Sequence, residues 1–246
     1  MREIRVYVDS PLAVGHRVTL SNQAMQHVTK VLRLRHGASL TVFDGRGGEY
    51  AATLQLEGRH ASVEVGTHRP IERESPLRIT LLQALARGER MDFVIQKATE
   101  LGAHRIIPVA AARSVVQLDA ERSDKRTSHW QAVAAAACEQ SGRNTLPLID
   151  PPQSLESALQ AVSTLGVRLL LIPEATGSLC TLASSADSAK EVALLVGPEG
   201  GFEETEVERA LETGFEGVRI GPRILRTETA GLAALAALQC LAGDFE

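Results

Sequence analysis

Val192–Thr213 reads VALLVGPEGGFEETEVERALET, and it decides the fold class. Five apolar residues (192–196) run without polar interruption into Gly-Pro-Glu-Gly-Gly-Phe. After that turn, Val207, Ala210 and Leu211 recur at helical spacing among acids. A strand with no polar alternation is buried on both faces, the signature of a parallel sheet covered by helices on each side. The same grammar extends in both directions. Leu77–Ala84 is a near-continuous apolar strand, and Glu89–Leu101 is an amphipathic helix closed by Gly102. His104–Val109 and Val167–Ile172 are further strands. Helices are expected within Ser123–Gln140, over Ser154–Leu165 and over Thr229–Leu241, with a strand at Gly217–Ile220. Residues 73–246 thus form an α/β domain.

Upstream the grammar changes. Glu3–Val8 and Ser39–Phe43 alternate, Asp44–Gly48 is a turn, and Glu49–Leu56 and Ala61–Gly66 continue the β pattern. One helix is expected at Ser21–Leu34, with Ser21 as N-cap and Met25, Val28, Val31 and Leu32 on one face. HRPIERESP (68–76) reads as a linker, so residues 1–72 form a small β-rich domain. The net charge is −4, but it is unevenly spread. Residues 1–75 hold 10 lysines and arginines against 8 acids, and the remainder holds 16 against 22. Phosphate contacts are therefore sought at the front. Cys138, Cys180 and Cys240 are far apart and odd in number, so neither a disulfide frame nor a metal site is expected. No apolar stretch is long enough for a membrane span. The start, MREIRVYVDSP, lacks the apolar core of a signal peptide, and a cytoplasmic location is expected.

Ligands of parallel α/β sheets bind beyond the carboxyl ends of strands. Three strand ends stand out: Leu171-Ile172-Pro173-Glu174, Gly197-Pro198-Glu199-Gly200-Gly201, and Ile220 to Ala230. The second is neither a Walker A loop nor a dinucleotide fingerprint. Glu199, Glu203, Glu204 and Glu206 would repel a phosphate at that helix start, which favours a neutral or cationic ligand. A tight turn with acidic capping and no ligand fits the same residues. In the third loop Arg226 precedes a helix made almost wholly of Ala, Leu and Gly, which must be buried against something. An ion pair to Glu228 or Glu174 is the alternative role for Arg226.

GPEGGF (197–202) and IGPRILRTETA (220–230), in this order and spacing, resemble the SPOUT methyltransferases, and within them the RsmE family of 16S ribosomal RNA uracil-N3 methyltransferases. HVTKVLRLRHG (27–37), LTVFDGRGGEY (40–50), QKATELGAHRIIPV (96–109) and EQSGRN (139–144) are similar to that family too. The resemblance implies a PUA-like RNA-binding domain in front of a SPOUT sheet whose three loops form a deep trefoil knot. It implies S-adenosylmethionine as cofactor, held by Leu171, Ile172, Pro173, Glu174, Gly197, Pro198, Gly200, Gly201, Ile220, Gly221, Ile224, Leu225, Thr229 and Ala230. It also implies a homodimer through the last helix and 16S rRNA of the small ribosomal subunit as partner, with no metal and no membrane.

Arg226 is the leading candidate to stabilise charge on the acceptor base, and Glu199 is the second catalytic candidate. Arg5, His27, Lys30, Arg33 and Arg35 form a candidate phosphate stripe, with His27, Lys30 and Arg33 at one-turn spacing. Gln140, Arg143 and Asn144 are candidates to grip the RNA near the target. With 3% aromatic residues, stacking on exposed rings is not the main mode. Activity on transfer RNA or ribose 2′-hydroxyls, and a non-catalytic role in ribosome assembly, remain the alternatives.

Overall fold

The computed structural model describes residues 4–58, 60–86, 88–114, 120–179 and 190–245; Glu3 and Cys180 lie outside them. They divide into two compact units: residues up to Glu74 together with Ala135–Leu146, and Ser75–Ala134 together with Pro147 onward.

The first unit is built on a five-stranded sheet in the order β1-β3-β4-β5-β2. Its strands are β1 (Arg5–Tyr7), β2 (Arg17–Thr19), β3 (Ser39–Phe43), β4 (Glu49–Glu57) and β5 (His60–Arg69). β1 pairs with β3 in parallel, and the other pairs are antiparallel. Alternation along β4 and β5 sends Ala52, Leu54, Ala61, Val63 and Val65 into a core shared with Val6, Leu20, Val28 and Val42. β5 runs through His68 and Arg69, so the first two residues of the expected linker belong to a strand.

The expected helix is shorter and changes type. Ser21 caps it as expected, accepting the Ala24 N–H at 3.2 Å. α1 (Asn22–Gln26) then passes into a π-helical turn, His27–Val31, closed by Leu32 N–H donating to His27 C=O. The wider turn inserts an extra residue and rotates the positions after it. Val28 stays buried, but Val31, expected in the core, is 70% exposed. Arg33 takes a left-handed φ of 52° and ends the segment.

The second unit holds an all-parallel sheet in the order β11-β13-β10-β12-β6-β7-β8, with β9 also beside β7. The strands are β6 (Arg78–Ala84), β7 (Ala103–Ala110), β8 (Leu148–Ile149), β9 (Gln153–Ser154), β10 (Val167–Leu171), β11 (Gly177–Ser178), β12 (Glu191–Val196) and β13 (Glu216–Arg219). Helices α2 (Arg90–Glu100), α3 (Ala120–Ser141), α4 (Leu155–Ala161), α5 (Glu204–Glu212) and α6 (Thr227–Ala242) connect or flank them. α3 also carries the chain into residues 135–141 of the first unit. Successive residues of β12 serve opposite faces. Val192, Leu194 and Val196 join one core with Met91, Ile95, Leu235 and Leu238, whereas Ala193 and Leu195 join another with Leu159, Ala210 and Phe215. This two-sided burial is why the strand lacks polar alternation. β10, β12 and β13 are neighbours, so the three loops singled out in the sequence leave adjacent strands at the same edge.

Candidate active site

Those loops line a cavity of about 930 Å³. Leu171, Ile172, Pro173 and Glu174 come from the end of β10. Gly197, Pro198, Glu199, Gly200 and Gly201 come from the end of β12. Ile220, Gly221, Ile224, Leu225, Arg226 and Ala230 come from the segment after β13 and the start of α6. Every residue anticipated for the cofactor lines the cavity except Thr229. It sits in the first turn of α6, where its N–H bonds Arg226 C=O at 2.9 Å.

The local geometry follows from side-chain size and from caps. Gly201 and Gly221 have φ of 69° and 68°, a conformation that strains other residues, and a Cβ on either would meet nothing within 4 Å. Gly197 has an ordinary φ, but a Cβ there would lie 3.1 Å from the Phe202 ring, a tight contact that the ring would have to ease by a few tenths of an ångström. Gly200 is different. Its backbone is unstrained, and a Cβ would make ordinary contact with Arg113 at 3.5 Å. The glycines that the backbone itself demands are therefore 201 and 221. At the start of α5, Glu206 is buried and both its oxygens are used: one accepts the Glu203 N–H at 2.9 Å, the other the Ala112 N–H at 2.8 Å. This is an N-terminal cap reached from inside the helix, and it ties the chain after β7 to the loop.

Charge around the cavity differs from the acidic surroundings expected. Glu203, Glu204 and Glu206 do not line it; Glu174 and Glu199 do, together with Arg90, Arg113, Arg219, Arg223 and Arg226. Arg90 reaches Glu199 at 2.7 Å and Glu228 at 3.9 Å. Arg113 donates to Gly200 C=O at 2.9 Å. Arg90 thus answers Glu199 from α2, and Arg113 braces the same loop from just beyond β7. Sequence reading missed both, because nothing in their local sequence marks them as neighbours of loops about a hundred residues away. Arg226 immediately precedes α6 and is exposed on the cavity wall. It forms no ion pair with Glu228, Glu174 or any other described acid, so the salt-bridge alternative is not what the fold uses. Glu199, the other catalytic candidate, is held by Arg90.

In the first unit, Lys30, Arg33 and Arg35 are exposed and without ion pairs among the described residues, and His27 is half-buried. They do not form one regular helical stripe, because the π turn and the left-handed Arg33 break the spacing. Arg5 needs a correction. Its guanidinium is paired with the buried Glu49 and also donates to Arg143 C=O and to Asn144 Oδ1. Arg143 is likewise buried and paired with Glu74 through two donors. Asn144 is fully buried, and its amide donates to Ile71 C=O at 2.7 Å. These three spend their polar groups inside the unit instead of presenting them to RNA. Gln140 is exposed. Among the described residues no cluster of potential metal ligands occurs, and no helix is long and apolar enough to cross a membrane.

Comparison with known proteins agrees with this arrangement. Residues 73–239 match the family model of the RNA methyltransferase domain, and residues 20–65 match that of the RNA methyltransferase PUA domain. The ribosomal RNA small subunit methyltransferase E of Bacillus subtilis is 33% identical over 236 residues, covering 92% of each chain. A structure of the enzyme of that name from Neisseria gonorrhoeae, bound to S-adenosylmethionine, is 39% identical. It has a TM-score of 0.89 over the full length of both chains. A Legionella pneumophila protein solved with S-adenosylmethionine is 36% identical, with a TM-score of 0.94, again over both full chains. With a domain match across most of the chain and full-length relatives above 30% identity, the chain belongs to the ribosomal RNA small subunit methyltransferase E family.

Proposed function

We propose that the chain methylates N3 of a uridine in the 16S RNA of the small ribosomal subunit, with S-adenosylmethionine as methyl donor. The observation that carries this reading is the cavity at three adjacent strand ends, with Arg226 exposed on its wall and free of ion pairs among the described residues. The residues fit the cofactor. Gly201 and Gly221 leave open space along the cavity edge where any other residue would place a side chain. The volume lies within the ordinary range of small-molecule sites. Loops 171–174, 197–201 and 220–230 would hold the cofactor. We also propose that they thread through one another as a deep trefoil knot.

When bound, the cofactor supplies a methyl group on a sulfonium whose sulfur leaves neutral, so the donor side requires no acid. The acceptor is the harder half. Uracil N3 carries a proton, and its removal puts negative charge on the flanking carbonyl oxygens. Arg226 would stabilise that charge and orient the base. Glu199 is held by Arg90, which suits it to fixing the 197–202 loop better than to taking a proton.

Residues 1–72 would serve as a PUA-like RNA-binding domain in front of the methyltransferase domain of 73–246. Lys30, Arg33 and Arg35 are the first unit's best-placed phosphate contacts among those anticipated. A homodimer through α6 is proposed as well. Phe93 on α2, which packs against α6, Leu241 in the last turn of α6 and Phe245 three residues beyond it stay 47%, 45% and 40% exposed, and a second copy would cover them.

The test is incubation with labelled S-adenosylmethionine and either small ribosomal subunits or total transfer RNA, beside the Arg226→Ala variant. Label is expected on a uridine N3 of the subunit RNA. The variant should still bind RNA but react roughly 10²- to 10³-fold more slowly. Label confined to transfer RNA, or full activity in Arg226→Ala, would overturn the respective part.

A further inference from the structure

Gln83 is a polar residue near the end of β6, in the interior of an apolar sheet, between Val196 of β12 and Pro108 of β7. It is fully buried. Its amide Nε2 donates to Thr227 Oγ1 at 2.9 Å and, more weakly placed, to the C=O of its own neighbour Ala84 at 3.2 Å. The Thr227 hydroxyl passes the bond on, donating to Gly197 C=O at 2.5 Å. Gly197 opens the second cavity loop, and Thr227 follows Arg226 at the start of α6. Both line the cavity, and Gln83 does not. One hydrogen-bonded chain thus fastens two walls of the cavity from beneath.

Two further observations set Gln83 apart from an ordinary core residue. Gln83 Oε1 accepts no hydrogen bond although it is buried, an expense that an aliphatic side chain would avoid. Gly231, one turn beyond Thr227, would place a Cβ only 3.1 Å from that same oxygen, so α6 keeps glycine where the amide needs room. The fold therefore gives up a satisfied acceptor and a helix-favouring residue to keep the Gln83 donor in place.

We infer that Gln83 is a positioning residue: acting through Thr227, it sets the 197–202 loop against the start of α6 and so pre-shapes the cofactor cavity. The inference rests on the cofactor reading above. Its test uses the full chain, with S-adenosylmethionine as probe and three measurements: calorimetric affinity, thermal midpoint, and amide hydrogen exchange at 199–202 without cofactor. Gln83→Met and Thr227→Val should each weaken binding about five- to tenfold, the loss of one buried hydrogen bond. Exchange at 199–202 should rise in both. Gln83→Met should keep or raise the thermal midpoint, which a merely structural residue would not do. Thr227→Ser should bind more tightly than Thr227→Val. The double variant should be no worse than Thr227→Val alone, because both break the same chain. Unchanged affinity and exchange in Gln83→Met, or a double variant whose loss is the product of the single losses, would overturn the inference. If Gln83→Met does not fold, the Thr227 pair decides by the same readouts. If the native chain binds no S-adenosylmethionine, the cofactor reading fails, and the exchange measurement still decides the positioning.

Discussion

Arg5→Ala is expected to destabilise the first unit by about 3–5 kcal/mol, the range for breaking a buried ion pair by removing one partner. The Arg5 side chain is 8% exposed and that of Glu49 is 1% exposed. Without Arg5, Glu49 retains only Arg73 at 3.5 Å and Arg69 at 3.7 Å among the described residues. Those two side chains are 43% and 44% exposed, and pairs of that kind recover at most about 1 kcal/mol. The Arg143 carbonyl and Asn144 Oδ1 also lose a donor, and the Phe43 ring loses the guanidinium 4.9 Å from its centre. Against a total stability of about 5–15 kcal/mol this is a large fraction. Urea titration measures the loss, and hydrogen exchange in residues 39–69 and 135–146 locates it. The paired replacement Arg5→Met with Glu49→Leu should recover most of it, because no charge is then left buried. The salt dependence of RNA binding by Arg5→Ala should match that of the native chain. A loss under about 1 kcal/mol would refute the reasoning, since the pair would then behave as a surface one.

Other consequences are as open to measurement. Replacing Lys30 and Arg33 with Ala should reduce the slope of log RNA affinity against log salt by about 1.5 to 2 units while cofactor affinity stays unchanged; an unaltered slope would make them ordinary surface charges. Burial holds the Glu139 carboxyl above its usual value of 4.5, although a Tyr7 N–H and the His27 and Arg5 charges oppose the shift. Folding therefore disfavours its ionised form, a cost absent well below pH 4.5 and complete above the raised value. Glu139→Gln should accordingly stabilise the chain at pH 7, with the gain fading as pH falls through that window; a pH-independent difference in urea midpoint contradicts this. Burial likewise pushes the Cys138 thiol up to about 12, whereas Cys240 is exposed. In a Cys180→Ser background a thiol reagent should label Cys240 at once and Cys138 only after unfolding. Protection of Cys240 in the native chain would instead indicate that a second copy covers it.

Much of the second unit is legible in the sequence because its signals are local. Apolar runs mark doubly covered strands, Gly102 closes α2, and acids at the start of α5 announce a cap, which Glu206 then provides. The three loops can be picked out because parallel sheets place ligands at one edge. The illegible part depends on partners distant in sequence. Arg5 and Arg143 are basic residues that read as surface contacts, and only the position of Glu49 and Glu74 shows them to be internal. Arg90 and Arg113 reach the cavity from elements whose own sequence says nothing of it. Gln83 looks like an accident in an apolar strand until Thr227 is placed beside it. The π turn at 27–31 escapes a 3.6-residue reading by construction, which is why that reading puts Val31 in the core. β2, β8, β9 and β11 are two or three residues long, too short for any periodicity to register.

Residues 135–146 complete the first unit, and this sets an order on synthesis. When residue 74 emerges from a ribosome, the Asn144 and Arg143 groups that engage Arg5 and Glu74 do not yet exist as chain. At about 5–20 residues per second they arrive several seconds later, after β6, α2 and β7 have been made. Until then Arg5 and Glu49 have each other but lack the segment that closes over them. An expression fragment that stops at the apparent linker would be fixed in that unfinished state. The amino-terminal unit of this chain therefore cannot be finished until residue 146 has been made, far beyond the point where its own sheet ends.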